Sequence, residues 1–180
     1  LGAWAHVRLT EDRREKSAIF VSDAHTVNLP LRKGLDPGDL KQELEDWTEK
    51  QKEADREGDV IVARDCGARA ERARRWLGRI QGIPAGSTYP YRFSVHRMGD
   101  AVWVSCGAEP YSLVQTELRS RFPDFRIMVS SLTGNVQVAY LLDKASYGKG
   151  LYQEEPSSLA RGSLETLIDA IAEQITVVTS

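Results

Sequence analysis

Residues 101–111, AVWVSCGAEPY, constrain the fold of this chain more than any other stretch. A short apolar strand at residues 101–104 passes Gly107 and reaches the acidic Glu109, and Pro110 then favours the first position of a helix. Open α/β sheets place their chemistry where a strand ends in a turn before the next helix. The stretch therefore predicts an α/β fold. Glu109 is either a functional carboxylate or a helix cap that complements the helix dipole.

The remaining chain supplies strands and helices for such a fold. Apolar residues at helical spacing predict a helix from Pro110 to about Arg121 and a last helix over about residues 162–175. Alternating and β-branched runs predict strands at residues 4–9, 17–21, 25–31, 89–97 and 125–130, with a further extended segment at 136–142. We expect a mixed β-sheet layered with helices, forming one α/β domain over residues 1–180.

An antiparallel helical hairpin is predicted at about residues 36–81, inserted between strands of the sheet. Asp36 is a good N-cap, Pro37 suits the first helical position, and Glu57-Gly58-Asp59 predicts the turn. The second helix carries an arginine-rich face at residues 69–75, which could bind nucleic acid. The acidic first helix offers ion pairs to the same arginines, and we favour that interpretation.

The composition narrows the function only slightly. The chain has 180 residues, a net charge of −2, 41% hydrophobic and 28% charged residues, as in ordinary soluble globular proteins, and no apolar run long enough to span a membrane. Cys66 and Cys106 match neither a metal-binding spacing nor a disulfide framework, and Cys66 is expected in the core. Because the sequence starts with Leu1, we expect a part of a longer protein, in which any targeting segment would lie upstream.

Glu109 and Tyr140 are the candidate metal ligands. Glu109 and the polar loop at residues 131–135 both follow predicted strands, and neighbouring strands would bring Tyr140 close to Glu109. A carboxylate and a tyrosinate can share a divalent cation, since such cations accept oxygen donors. A catalytic zinc site, however, usually has three protein ligands, commonly including histidine.

The histidines add little to this site. His6, His25 and His96 have no paired metal-binding spacing, which favours surface or strand positions. Cys106, His96 and Glu109 could also form a nucleophile constellation, although a small buried thiol at a strand end is the simpler interpretation. From spacing alone, the function stays at an α/β domain with a candidate site at Glu109.

The order of motifs over about residues 29–177 resembles the later catalytic region of the neutral/alkaline (non-lysosomal) ceramidase family and its bacterial relatives. The motifs are Asn28-Leu29-Pro30-Leu31 before a charged hairpin, Met98-Gly99-Asp100-Ala101-Val102 leading to Gly107-Ala108-Glu109-Pro110-Tyr111, Ser131-Leu132-Thr133-Gly134-Asn135 followed by Tyr140, and the later Tyr147 and Tyr152-Gln153-Glu154. In that family a zinc ion, bound by two histidines, a glutamate and a tyrosine, serves hydrolysis of the amide of N-acylsphingosines.

The resemblance implies that Glu109 and Tyr140 are the glutamate and tyrosine ligands of zinc. The histidine ligands, and the serine and arginine near the scissile amide, belong to earlier parts of the family's chain. The resemblance thus implies that the chain is part of a zinc amidohydrolase that acts on a lipid amide. By itself the chain is expected to hold no zinc and to be inactive. The parent protein could be secreted or periplasmic. Lack of the upstream part would also expose apolar sheet surface and favour self-association.

The sequence departs from the family's pattern around Glu109. Cys106 replaces a proline, Ala108 separates Gly107 from Glu109, Pro110 replaces a phenylalanine, and Leu142-Asp143 replace two threonines. These departures put the lipid specificity in doubt more than the metal chemistry. They also keep open an alternative, a non-catalytic binding or structural α/β domain that keeps the fold without the chemistry.

Overall fold

A four-stranded mixed sheet forms the centre of the protein. The computed structural model describes residues 19–84, 86–134 and 136–180. The sheet consists of β1 (Phe20–Pro30), β2 (Thr88–Met98), β3 (Ala101–Cys106) and β5 (Arg126–Ser130), and a two-stranded sheet pairs β4 (Glu109–Pro110) with β6 (Tyr140–Leu141). The helices are α1 (Pro37–Glu57), α2 (Val60–Ile80), α3 (Leu113–Arg121) and α4 (Ser163–Thr179), with a 3-10 turn at Tyr152–Glu154.

The strand order in the larger sheet is β1-β2-β3-β5. The first three strands are antiparallel neighbours, while β5 runs parallel to β3. A parallel neighbour needs a crossover connection, which here contains α3. The carboxyl ends of β3 and β5 therefore lie side by side at one edge of the sheet.

One face of the sheet is covered by α3 and α4, and the core lies between them. Alternate residues of β2 point into this core, because successive side chains of a strand face opposite sides. The fully or nearly fully buried side chains include Tyr91, Phe93, Val95, Val102, Val104, Leu118, Ile127, Leu164, Leu167, Ile168, Ile171 and Ile175. The predicted last helix is confirmed and continues to Thr179.

The opposite face of the sheet carries exposed apolar side chains. Phe20 pairs with Met98 across β1 and β2, and Trp103 pairs with Met128 across β3 and β5. All four are exposed. The predicted exposure of apolar sheet surface is thus present in the described residues, while self-association stays a prediction.

The predicted α/β fold with an inserted helical hairpin is confirmed. α1 and α2 lie between β1 and β2 in the chain, and they pack antiparallel against each other. The Asp36 carboxylate accepts hydrogen bonds from the Gly38 and Asp39 N–H groups, and Gly58 ends α1 with a φ of 75°, which favours glycine. Asp59 then caps α2 by accepting from the Val62 N–H at 3.0 Å.

The arginines of α2 make contacts within the hairpin. The Arg72 guanidinium lies 3.7 Å from Glu43 of α1, and the Arg69 guanidinium lies 4.6 Å from the centre of the Trp47 ring. Arg74 pairs with Glu71 of the same helix. Of these contacts, the Arg72–Glu43 ion pair is of the predicted kind, between the acidic first helix and the arginine-rich face.

Two predictions of strand bounds are wrong. The predicted strands at residues 17–21 and 25–31 overlap one continuous strand, β1, because Ser22-Asp23-Ala24 pairs in register with His96, Val95 and Ser94. The predicted extended segment at 136–142 contains only the two strand residues of β6. The predicted strand at residues 4–9 lies outside the described residues, as do residues 17–18.

Candidate functional site

The predicted helix entry at Pro110 is wrong. Glu109 and Pro110 form β4, and α3 begins only at Leu113, with Ser112 as its N-cap residue, so Glu109 does not cap the helix. The N–H groups of Glu109 and Tyr111 donate to the carbonyls of Ala139 and Leu141 at 2.8 and 2.9 Å. Since alternate N–H groups of a strand point to opposite sides, the missing N–H of Pro110 falls on the side away from β6.

The structure brings Glu109 and Tyr140 together. They are direct partners in the parallel pairing of β4 with β6. Paired residues of neighbouring strands lie about 5 Å apart at the backbone and project from the same face. Both residues are half-buried. A carboxylate and a phenol thus stand side by side just beyond the carboxyl ends of β3 and β5.

Unusual backbone conformations surround this pair. Among the described residues, the non-glycine residues with positive φ are Ala108 (53°), Leu132 (60°) and Ala139 (58°). Ala108 immediately precedes Glu109, and Ala139 immediately precedes Tyr140. Each such conformation costs on the order of 1 kcal/mol or more and tends to occur at functional sites, where the surrounding structure enforces it.

Hydrogen bonds from the loop after β5 hold the strained backbone in place. The Leu132 N–H donates to the Ala108 carbonyl at 2.8 Å, and the Thr133 N–H and hydroxyl both donate to the Cys106 carbonyl, at 3.0 and 2.8 Å. From the other side, the buried Tyr91 hydroxyl donates to the Gly107 carbonyl. The turn that precedes Glu109 is therefore held by donors from the loop after β5 and from Tyr91 of β2.

A cavity of about 530 Å³, a size typical of small-ligand sites, lies in the same part of the molecule, and neither Glu109 nor Tyr140 lines it. Gly107 and Val138, each two residues before a member of the pair, belong to its wall. The other lining residues are Gly82, Pro84, Tyr89, Pro90, Tyr91, Arg92, Thr133, Gly134 and Gln137. The cavity therefore adjoins the turns that precede Glu109 and Tyr140, and its wall does not include their side chains.

Tyr140 is held by the segment that precedes α4. The Ser157 hydroxyl donates to the Tyr140 carbonyl at 2.7 Å, and the ring of Tyr152 meets the Tyr140 ring edge-on, with centres 6.3 Å apart. Arg32 in turn donates from Nη1 to the carbonyls of Glu154, Glu155 and Ser157 at 3.0 to 3.4 Å. One guanidinium therefore fixes the loop whose serine fixes the backbone of Tyr140.

The same loop joins the site to the helical hairpin. The Arg32 guanidinium lies 5.3 Å from the centre of the Trp76 ring in α2. Trp76 Nε1 and Arg72 Nε both donate to Glu155 Oε1, each at 3.2 Å. The base of the hairpin is thus linked through Glu155 and Arg32 to the segment that supports Tyr140.

The described histidines do not complete a metal site. The His25 ring packs against Phe93 on the core face of the sheet, with its Nε2 3.8 Å from Asp23. His96 lies on the opposite face, where its Nδ1 is 2.8 Å from the Ser22 hydroxyl. Over residues 19–84, 86–134 and 136–180, no three His, Cys, Asp or Glu side chains form a group that could hold a metal ion. The donor set present fits two oxygen ligands of a cation, and His6 lies outside the described residues.

The alternative constellation of Cys106, His96 and Glu109 is not formed. Cys106 pairs with Phe93 and faces the core, while His96, three residues further along β2, faces the other side of the sheet. Burial raises the pKa of the Cys106 thiol to about 12. The thiol is therefore protonated at neutral pH, and only a thiolate is a competent nucleophile. Cys66 is likewise buried, as predicted, inside the hairpin.

Tyr111, two residues after Glu109, has a phenol that resists ionisation. The pKa of Tyr111 is raised, first by desolvation and then by the charges of Asp143 and Tyr140. Asp143 is itself held by the N–H and hydroxyl of Ser146, at 2.8 and 3.0 Å.

No known protein family, curated protein or solved structure matches the chain. In the described residues, no helix is both long enough and apolar enough to cross a bilayer.

Sequence reasoning missed the residues that support the pair. Arg32 and Ser157 act on Tyr140 from segments far apart in the chain, and no local pattern marks them. The left-handed conformations of Ala108, Leu132 and Ala139 have no signal either, because alanine and leucine rarely adopt them. In the sequence, the Tyr152-Gln153-Glu154 motif rests on the resemblance alone, and in the structure the Tyr152 ring contacts the Tyr140 ring.

Proposed function

We propose that this chain contributes a carboxylate and a phenol, from Glu109 and Tyr140, to a zinc site of an amidohydrolase acting on ceramide-like N-acyl lipids. The observation that carries the proposal is the direct pairing of these two residues across β4 and β6. Two residues 31 positions apart in the sequence, each predicted as a ligand, are strand partners, and each follows a left-handed alanine.

Glu109 would neutralise part of the cation's charge, and Tyr140 would be a weaker ligand or a hydrogen-bond donor to a developing oxyanion. A zinc ion, when bound, would lower the pKa of a water molecule and polarise the amide carbonyl. The strained turn at Ala108 and the Ser157 hydrogen bond would hold the two side chains before the ion arrives. Histidines outside the described residues would have to complete the ligand set, so we expect weak zinc binding and no turnover by this chain alone.

Cobalt binding tests the proposal, because Co²⁺ reports its ligands by its absorption spectrum. The 180-residue chain would be titrated with Co²⁺ in the presence of imidazole, which supplies the nitrogen ligands that the described residues lack. We expect Glu109→Gln and Tyr140→Phe each to weaken binding at least about tenfold, the loss seen even for residues that merely support a ligand. Glu117→Gln, on α3 and 44% exposed at its side chain, is the matched control for the loss of a carboxylate.

The alternative is a binding or structural domain that keeps the fold without the chemistry. It is favoured by the lack of a three-ligand group among the described residues. Unchanged Co²⁺ affinity in both Glu109→Gln and Tyr140→Phe would reject the metal site and support this alternative. Specific amidase turnover by the purified chain alone would contradict the expectation that the site is incomplete.

A further inference from the structure

The end of the helical hairpin carries exposed aliphatic side chains. We call residues 57–62, which contain the turn and the first turn of α2, the hairpin tip. Val60 and Ile61 are each 77% exposed, and Val62 is 46% exposed. The other residues of the tip are Glu57, Gly58 and Asp59, so these three aliphatic side chains are the large apolar residues of the tip. Three consecutive aliphatic residues in water are unfavourable, so the tip is a candidate contact surface.

The tip lies far from the body of the protein. Along α2, 16 residues separate Val60 from Trp76, which contacts Arg32 and Glu155 at the base of the hairpin. At 1.5 Å per residue this distance is about 24 Å. Among the described elements, α1 and α2 make their extensive contacts with each other. The hairpin is therefore an arm with the aliphatic residues at its far end.

The directions of the three side chains favour a partner that encloses the tip over a flat protein surface that meets one face of the helix. Consecutive helical residues point about 100° apart, so Val60, Ile61 and Val62 cover more than half of the helix circumference. Side chains in a helix also lean toward its N-terminus, which at this end of α2 means away from the body. A protein partner that meets one face of the helix would leave at least one of the three in water.

The area also argues against a second copy of the chain. Specific protein interfaces take about 20–30 residues on each side, and the tip offers three apolar residues amid charged ones. A lipid bilayer needs much less, because a few side chains can enter the boundary between headgroups and acyl chains. Arg56 and Arg64 are exposed on either side of the tip, and their long side chains can reach the headgroup phosphates.

We propose that the hairpin tip inserts Val60, Ile61 and Val62 into the interfacial layer of a lipid bilayer. The charged residues from Asp55 to Asp65 are Asp55, Arg56, Glu57, Asp59, Arg64 and Asp65, an excess of acids, so binding does not depend on anionic lipid. None of this evidence involves Glu109 or Tyr140. The inference therefore does not rest on the proposed hydrolase. It names the bilayer surface as the place where a lipid substrate of that hydrolase would be reached.

Vesicle flotation tests the inference with the full 180-residue chain, in EDTA so that no metal takes part. We expect the chain to float with phosphatidylcholine vesicles, with no gain from phosphatidylserine and no loss in high salt. Val60→Asp/Ile61→Asp should lower the bound fraction about tenfold or more, because the inserted apolar area is lost. Both aspartates lie in the first turn of α2, where acids favour the helix, so the hairpin should remain folded, as circular dichroism would show.

Val177→Asp is the matched control, since Val177 is a 67% exposed valine on α4, and it should float like the wild type. Absence of wild-type flotation at high lipid concentration would overturn the inference. Equal flotation of the tip variant, with loss in Met128→Asp on the exposed sheet face, would overturn it in favour of that face. A tip variant that only abolishes self-association would assign the tip to a protein contact instead. Because no metal is present, none of these results depends on the proposed hydrolase.

Discussion

The α/β body buries large side chains, whereas the helical hairpin buries mainly small ones. Between the sheet and α4 the core contains leucines, isoleucines and aromatic residues brought together from distant parts of the chain. Between α1 and α2 the buried residues are chiefly Ala54, Ala63, Cys66, Ala70 and Ala73, with Leu40 and Trp76 nearer the base. Small residues allow the helix backbones to approach closely but bury little apolar area, so the body should be the more stable of the two.

The largest expected effect is in the body. Ile171→Ala removes a fully buried side chain of α4 and should lower the free energy of unfolding by about 3 kcal/mol. Urea unfolding followed by circular dichroism measures the change. Val177→Ala, on the exposed side of the same helix, should cost much less. A loss in Ile171→Ala no larger than in Val177→Ala would show that α4 does not close the core.

A smaller and more local effect is expected in the hairpin. Ala70→Leu overpacks the contact between α1 and α2, at a cost of about 2 kcal/mol. Amide hydrogen exchange should rise in both helices and stay unchanged in β2, β3 and α4. Ala68→Leu, on the exposed side of α2, is the matched control and should leave exchange unaltered. Faster exchange throughout the body of Ala70→Leu would mean that arm and body unfold as one unit.

The smallest effect, measured just above pH 9, concerns a buried thiol in the body. The pKa of the Cys106 thiol is raised from 9.0 to about 12 in the native protein. Above about pH 9 the unfolded thiol ionises while the native one keeps its proton, so the native state binds more protons and stability falls as pH rises. Between pH 9 and pH 10 the expected loss of stability is about 1 kcal/mol.

Denaturant unfolding at several alkaline pH values should show a shallower slope in Cys106→Ala than in the wild type. Tyr91, whose pKa is also raised by burial, adds a loss above about pH 10 that this variant keeps. Identical slopes in Cys106→Ala and the wild type would contradict the protonated state assigned to the buried thiol.

The hairpin was predictable because its signals are local. Asp36, Pro37, Gly58 and Asp59 each act within one helical turn of their own position, and the apolar spacing of α2 needs no distant partner. The entry to α3 was mispredicted for the opposite reason. Pro110 satisfies the local rule for a helix start, but hydrogen bonds to β6, 30 residues later in the chain, make it part of a strand.

The sequence by itself determined the class of fold and the hairpin, because periodicity and caps act between residues close together in the chain. It named Glu109 and Tyr140 only as a candidate pair, on the condition that their strands are neighbours and on the strength of a resemblance. Only the tertiary structure decided that β4 and β6 pair in the register that sets Glu109 opposite Tyr140. It also decided that Ala108 and Ala139 take left-handed conformations and that Arg32 and Ser157 support Tyr140. Those features depend on contacts between segments that are tens to more than a hundred residues apart in the chain. Local propensity describes only neighbouring residues, so it cannot predict such contacts.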